Sequence, residues 1–202
     1  MSSAEFLFDF ASPNAYLAHK VIPAIEARTG KTFRYTPVLL GGLFKLTGNQ
    51  APMIAFGGIP NKLAYERLEM QRFIERYKLP FVMNPHFPVN TLLLMRMATA
   101  AEMGGTLAPF VDAAMRLMWQ TPQKMDDPQV AVASLTAAGI DAEALFKRSQ
   151  DADVKARLMT ATEDAAKRGA FGIPTFFVGN DIYFGKNTLR DVEEALAGTR
   201  SS

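Results

Sequence analysis

The sequence predicts an α/β protein whose elements run βαβ, then a block of helices, then ββα: a sheet domain carrying an inserted all-helical lobe. Three observations predict it. A short aromatic stretch near the start is followed by a helical and then a second strand-like segment. About a hundred residues of helical periodicity come next. β-character returns only at Thr175, close to the end. A chain of 202 residues with 49% hydrophobic content buries one substantial core, with or without such an insertion.

Each element has its own signal. Residues 5–10 are short, aromatic and followed by Ser12-Pro13, the pattern of a buried strand. Residues 15–28 read as a helix closed by Gly30, and 32–40 as a second strand. Right-handed crossover makes those two strands parallel. Residues 41–60 hold five glycines and two prolines and are expected to form a long loop, where function often resides. Helices are expected over 62–78, 91–103, 107–120, 127–138 and 141–168. In these, Leu94, Met95, Met97, Met103, Met115, Met118 and Trp119 fall at core spacing. Strands follow at 175–178 and 182–184 around a three-residue Gly179-Asn180-Asp181 connection, and a helix at 187–197 has Asn187 as its N-cap. The order is that of the thioredoxin fold. Its expected division is a discontinuous thioredoxin-like domain, 1–48 with 169–202, and an inserted helical domain, 49–168. The first strand–helix turn has no Gly-x-Gly, which excludes a dinucleotide fold.

Composition narrows the function. The net charge is +2 with the signs interspersed, so a nucleic-acid partner is not expected. No window approaches the roughly 20 apolar residues of a membrane span. MSSAEFLFDF has an acid before its apolar stretch and no basic start, so no signal peptide is expected and the cytoplasm is the expected compartment. The two histidines, His19 and His86, are far apart, so no metal site is expected. Cysteine is absent, which rules out disulfides.

That absence sharpens the meaning of Ser12-Pro13-Asn14-Ala15. A thioredoxin-like fold places its Cys-x-x-Cys pair here, and this chain has a hydroxyl instead. Ser12 reads first as an N-cap with Pro13 at N1. The same position lies at the positive end of a helix, where a ligand thiolate would be stabilised. Lowering a thiol by about 2 pKa units takes roughly 2.7 kcal/mol, more than the ~0.3–1 kcal/mol of a typical helix terminus. A charge-assisted hydrogen bond from the Ser12 hydroxyl, about 1.5–3 kcal/mol, closes the gap. Ser12 is then a donor to sulfur rather than a nucleophile, and any sulfur arrives with a cofactor. No Gly-x-Ser-x-Gly elbow surrounds Ser12, so a serine hydrolase has no support. Ile173-Pro174, just before the third strand, is where this topology sets a cis-proline against the first helix, leaving Ile173 to pair with an extended peptide.

FDFASPNAYLAHK (8–20), GNQAP (48–52), PNKLAYE (60–66), NPHFPVNT (84–91) and GAFGIPTFFV (169–178) together resemble the 2-hydroxychromene-2-carboxylate isomerases and the related kappa-class glutathione transferases. The resemblance covers essentially the whole chain. It implies a DsbA-like thioredoxin domain with a helical insertion, glutathione as cofactor and a homodimer. By resemblance Ser12 holds the glutathione sulfur, Asn49 and Lys62 help bind the tripeptide, and Ile173, before Pro174, pairs with its backbone. The family commonly carries Gly-x-Asp-Arg before the last helix, gripping the γ-glutamyl end, whereas this chain has Gly185-Lys186-Asn187-Thr188. Asn187 and Thr188 are then neutral hydrogen-bonding residues at that end, and Lys186 is expected to approach the γ-glutamyl carboxylate.

The expected function is a glutathione-dependent isomerase of an aromatic or unsaturated 2-oxo acid, most like 2-hydroxychromene-2-carboxylate, with ring opening and cis–trans isomerisation through a transient glutathione adduct. A kappa-like glutathione transferase shares the thiolate but releases a conjugate. A thioredoxin-fold binding protein without chemistry is the third alternative.

Overall fold

A computed structural model describes residues 3–198; residues 1–2 and 199–202 of the expected thioredoxin-like domain lie outside the described residues. Four strands, β1 (Ala4–Phe8), β2 (Phe33–Pro37), β3 (Thr175–Val178) and β4 (Asp181–Phe184), form one mixed sheet in the order β2-β1-β3-β4. β1 runs parallel to β2 and antiparallel to β3, and β3 and β4 form a hairpin. The expected βαβ and ββα units are therefore both present. All five residues of β1 are buried, so it shows an aromatic run rather than alternation. Phe6 stacks on Phe176 at 5.2 Å and meets Tyr35 edge-on at 4.9 Å.

Helix α1 (Pro13–Thr29) makes the crossover between β1 and β2. It ends at Gly30, whose φ of +64° is the left-handed C-cap that glycine adopts without strain. The region expected to be a loop instead contains α2 (Leu40–Thr47) and the single turn α3 (Pro52–Ala55). Its glycines mislead because one of them is there for packing. A Cβ on Gly42 would stand 3.0 Å from the Thr162 methyl, so α2 lies tight against α9 (Ala152–Lys167). Between them run α4 (Pro60–Tyr77), α5 (Leu92–Met103), α6 (Leu107–Trp119), α7 (Pro128–Ala137) and α8 (Ala142–Arg148).

Four further expectations are corrected. Residues 141–168 form two helices, because Asp151 is extended (φ −69°, ψ 148°) and starts α9 afresh, with Arg148 bridging to Asp151 and Asp153. The hairpin loop has two residues, since Asp181 already pairs with Val178. Asn187 lies inside a 3-10 turn (Lys186–Thr188), and Thr188 is the residue that precedes α10 (Leu189–Ala197). Of the methionine-rich set, Met103 is 45% exposed at the end of α5, while the others named are buried. His19 of α1 joins the lobe to the sheet. Its Nδ1 lies 2.9 Å from the Tyr35 hydroxyl of β2, and its Nε2 lies 3.0 Å from the Asp112 carboxylate of α6. Among the described residues no helix is long and apolar enough to cross a membrane.

Candidate functional site

The end of β1 and the start of α1 bring Ser12 to the end of the sheet, beyond the C-terminus of β1. The intervening turn is held by Asp9: its carbonyl accepts the Ser12 N–H at 3.1 Å and its carboxylate accepts the Ala11 N–H at 2.9 Å. Ser12 is extended (φ −95°, ψ 111°), and its Oγ accepts the Ala15 N–H at 3.2 Å, so it is the expected N-cap. Its hydroxyl proton goes across the fold, to the Ile173 carbonyl at 3.1 Å. The Ile173-Pro174 bond is cis, as the topology predicts. Ser12 and Ile173 are only 5% and 6% exposed. Beneath them the Trp119 indole N–H of the helical lobe donates to the Phe10 carbonyl at 3.0 Å.

Of the other expected site residues, Asn49 reaches the same loop. Its side-chain amide donates to the Phe171 carbonyl at 2.8 Å, two residues before Ile173. Pro174 accepts the Gly185 N–H at 2.9 Å, which seats the 3-10 turn carrying Asn187 and Thr188 beside the cis-proline loop. The Thr188 hydroxyl donates to the Gly185 carbonyl at 2.9 Å, and Asn187 Oδ1 is 3.5 Å from the Lys186 amine. Lys62 stands apart on the first turn of α4, with its amine 3.6 Å from Glu66 and 4.3 Å over the Phe56 ring. Nothing joins it to Ser12 directly. Tyr65, on the same exposed stretch, is 60% exposed.

Lys186 does not face outward toward a ligand carboxylate. It is 3% exposed, its amine donates to Glu69 of α4, and it lies 5.1 Å over the Phe73 ring. A buried ammonium needs a partner within reach, and Glu69 supplies it. The pair ties α4 to the turn next to Asn187. Lys62 and Glu69 are seven residues apart, hence on one helix face and about 10 Å apart along the axis.

Sequence reasoning missed two features. Asp9 is 1% exposed, and its carboxylate accepts from Ala11 N–H, Leu40 N–H (2.8 Å) and the Thr91 hydroxyl (2.6 Å). Burial pushes its carboxyl above the ordinary range, and the three hydrogen bonds work against that rise. The signal was an acid between two phenylalanines in a buried strand. The second feature is an aromatic pair, Phe171 and Phe184, with ring centres 4.5 Å apart and both rings partly exposed. Phe184 lies so close over Gly172 that a Cβ there would come within 2.8 Å of its ring. Two surface hollows of about 330 and 240 Å³ lie elsewhere on the protein and contain none of the site residues.

The sequence pattern of the DSBA-like thioredoxin domain family matches residues 4–197. A 2-hydroxychromene-2-carboxylate isomerase of Pseudomonas sp. (strain C18) is 27% identical over 197 residues, which is 96% of this chain and 90% of that protein. Glutathione S-transferase kappa 1 of Rattus norvegicus is 25% identical over 85% of this chain and 78% of its own length. A solved structure of 2-hydroxychromene-2-carboxylate isomerase superposes with a TM-score of 0.82 at 24% identity, covering 96% of this chain and 94% of the other.

Proposed function

The chain belongs to the DSBA-like thioredoxin domain family, and from that premise we propose that it is a glutathione-dependent isomerase of an aromatic or unsaturated 2-oxo acid, most like 2-hydroxychromene-2-carboxylate isomerase. The observation that carries this reading is Ser12. A hydroxyl caps the first helix and faces the carbonyl before the cis-proline, in a chain without cysteine. Chemistry at this position needs a sulfur from elsewhere. Relatives that bear the isomerase name match over nearly the whole chain.

The residues present fit a cysteinyl thiol. The Ile173 N–H finds no acceptor among the described residues, and Asn14 Oδ1, two residues after Ser12, is shielded from water without a hydrogen-bond partner. Bound glutathione supplies the sulfur nucleophile that the chain lacks and is recovered unchanged at the end of turnover. Ser12 and the α1 N-terminus hold that sulfur as its anion. Ile173 pairs with the cysteinyl backbone, and Asn49 extends the grip along the same loop. Asn187 and Thr188 offer neutral hydrogen bonds at the other end, and Lys62 is a cation for a carboxylate of the cofactor or the substrate. A homodimer in the cytoplasm belongs to the same reading, and the large apolar side chains exposed on α3 and α4, such as Ile54, at 71%, and Tyr65, at 60%, suit a partner copy.

The experiment follows 2-hydroxychromene-2-carboxylate turnover with and without glutathione while free thiol is titrated. The proposal expects turnover only with glutathione, constant thiol, and a rate lowered about 10- to 100-fold by Ser12→Ala at saturating glutathione. Turnover independent of thiol would sink it. Stoichiometric thiol loss would instead mean a transferase, the reading that the kappa-class relatives favour.

A further inference from the structure

We infer that Ser12 is released to a ligand sulfur only when a ligand amide N–H replaces it at the Ile173 carbonyl, so that the site ionises cysteinyl thiols and not bare ones. The inference rests on the thiol-dependent reading above. A serine hydroxyl has a single proton to donate. Here that proton is already committed to Ile173 O at 3.1 Å, while Oγ accepts the Ala15 N–H at 3.2 Å. A sulfur that simply arrives beside α1 finds no free hydroxyl donor. Turning the hydroxyl toward it would strip the buried Ile173 carbonyl of its hydrogen bond, and an unmet buried acceptor is costly enough to cancel the gain.

Ile173 also has an unmet donor, its own N–H. The residue before a proline favours extended backbone, and in extended backbone the N–H and C=O of one residue point the same way. Ile173 therefore presents an acceptor and a donor suited to one residue of an added antiparallel strand. A cysteinyl residue supplies both complements, with its thiol one side-chain carbon away. Before binding, the Ile173 carbonyl takes the Ser12 proton and its N–H takes nothing. After binding, the carbonyl takes the cysteinyl N–H, the Ile173 N–H meets the cysteinyl carbonyl, and the Ser12 hydroxyl turns to the sulfur. The thiol proton leaves to solvent. Selection thus resides in the amide next to the thiol, independent of what holds the ends of the tripeptide.

Because the chain has no cysteine, the ultraviolet thiolate absorbance gained on adding ligand, read against ligand-free protein and below the roughly pH 10 range where tyrosine ionises, reports the ligand's sulfur. The probes are glutathione and its analogue in which the cysteinyl N–H is replaced by an ester oxygen, each titrated against pH at saturating ligand. The expected result is a thiol ionisation constant raised roughly 10- to 100-fold for bound glutathione. The ester analogue is expected either not to bind or to bind with its thiol ionising only about 2- to 5-fold more readily than in water, the part that the α1 N-terminus supplies. Ser12→Ala is expected to cut the rise for glutathione to that same helix-terminus part. If glutathione and the ester analogue ionise equally on the protein, this inference fails while the thiol reading stands. If glutathione does not bind, both fail.

Discussion

Asp9→Asn replaces the carboxylate that holds the Ser12 turn with a neutral side chain of the same shape. Asp9 Oδ1 accepts the Ala11 N–H at 2.9 Å and the Thr91 hydroxyl at 2.6 Å, and Oδ2 accepts the Leu40 N–H at 2.8 Å. Asparagine offers one oxygen and one amide. In either flip the amide is set against a backbone N–H, so one part-buried donor is left unmet, at a cost of about 1–3 kcal/mol. Removing a buried charge offsets part of this, because desolvation already opposes the ionised form. For a chain of this size, roughly 2–4 °C of melting temperature per kcal/mol gives a fall of about 2–12 °C near neutral pH before that offset. The pH dependence has a definite sign. Folding raises the Asp9 carboxyl above its usual 3.8, so the folded state binds that proton more tightly than the unfolded state. The wild type therefore gains stability relative to the variant as pH falls through the raised value toward 3.8, and the gap in melting temperature widens on acidification. Thermal melts of both proteins across an acid series read this directly. An unchanged melting temperature near neutrality, or a gap that narrows on acidification, refutes the reasoning.

Three other perturbations have expected outcomes. Lys186→Met breaks the buried pair with Glu69 and is expected to cost about 1–3 kcal/mol in urea unfolding, with Glu69→Gln costing clearly less on top of it than alone; additive losses would mean that the two side chains are uncoupled. His19 beside Asp112 holds that carboxyl below its usual 3.8, so its contribution is present above 3.8 and lost as pH falls through the folded value; the stability gap between wild type and Asp112→Asn should shrink over that window, and a constant gap contradicts it. Within α2, Gly41→Ala adds a Cβ that meets nothing and should stabilise by about 0.5–1 kcal/mol, whereas Gly42→Ala drives a Cβ to 3.0 Å from the Thr162 methyl and should destabilise, so two neighbouring substitutions with identical helix propensity separate in sign by chemical denaturation.

The order of elements along the chain and most helices were legible because their signals are local. β1 and β3 are apolar runs closed by turn residues, and α5 and α6 repeat with helical period. α2 was hidden because glycine carries two meanings. Composition counts Gly41 and Gly42 as loop residues, but Gly42 is needed for a helix to approach Thr162, a residue 120 positions later. Thr162 cannot easily move aside. Its hydroxyl donates to Leu158 O at 2.8 Å and accepts the Leu39 N–H at 3.0 Å, which fixes the methyl that faces α2. The break between α8 and α9 was missed for a different reason: Ser149-Gln150-Asp151 has no glycine or proline, and only the extended backbone of Asp151 reveals it.

The site divides along the same line. Ser12 was legible as a cap and Ile173-Pro174 as a strand entrance, because each is a statement about neighbouring residues. What joins them is a hydrogen bond across 161 positions, which no spacing rule contains. Lys186 was misread because a lysine is normally exposed, and its burial depends on Glu69 from another helix. Asp9 is the more instructive case. An acid placed between the buried Phe8 and Phe10, just past the end of β1, has no water to satisfy it, so it must find donors in the fold. The donors available there are the N–H groups and hydroxyl at the starts of other segments. Ala11 leads into α1, Leu40 opens α2, and Thr91 precedes α5. One carboxylate thus fixes where three helices begin relative to one another, and two of them carry Ser12 at the N-cap and Asn49 just past the end. The placement of the candidate site residues is consequently set from beneath, by a residue positioned to touch no ligand, and the melting experiment on Asp9→Asn is also a test of how firmly that arrangement is held.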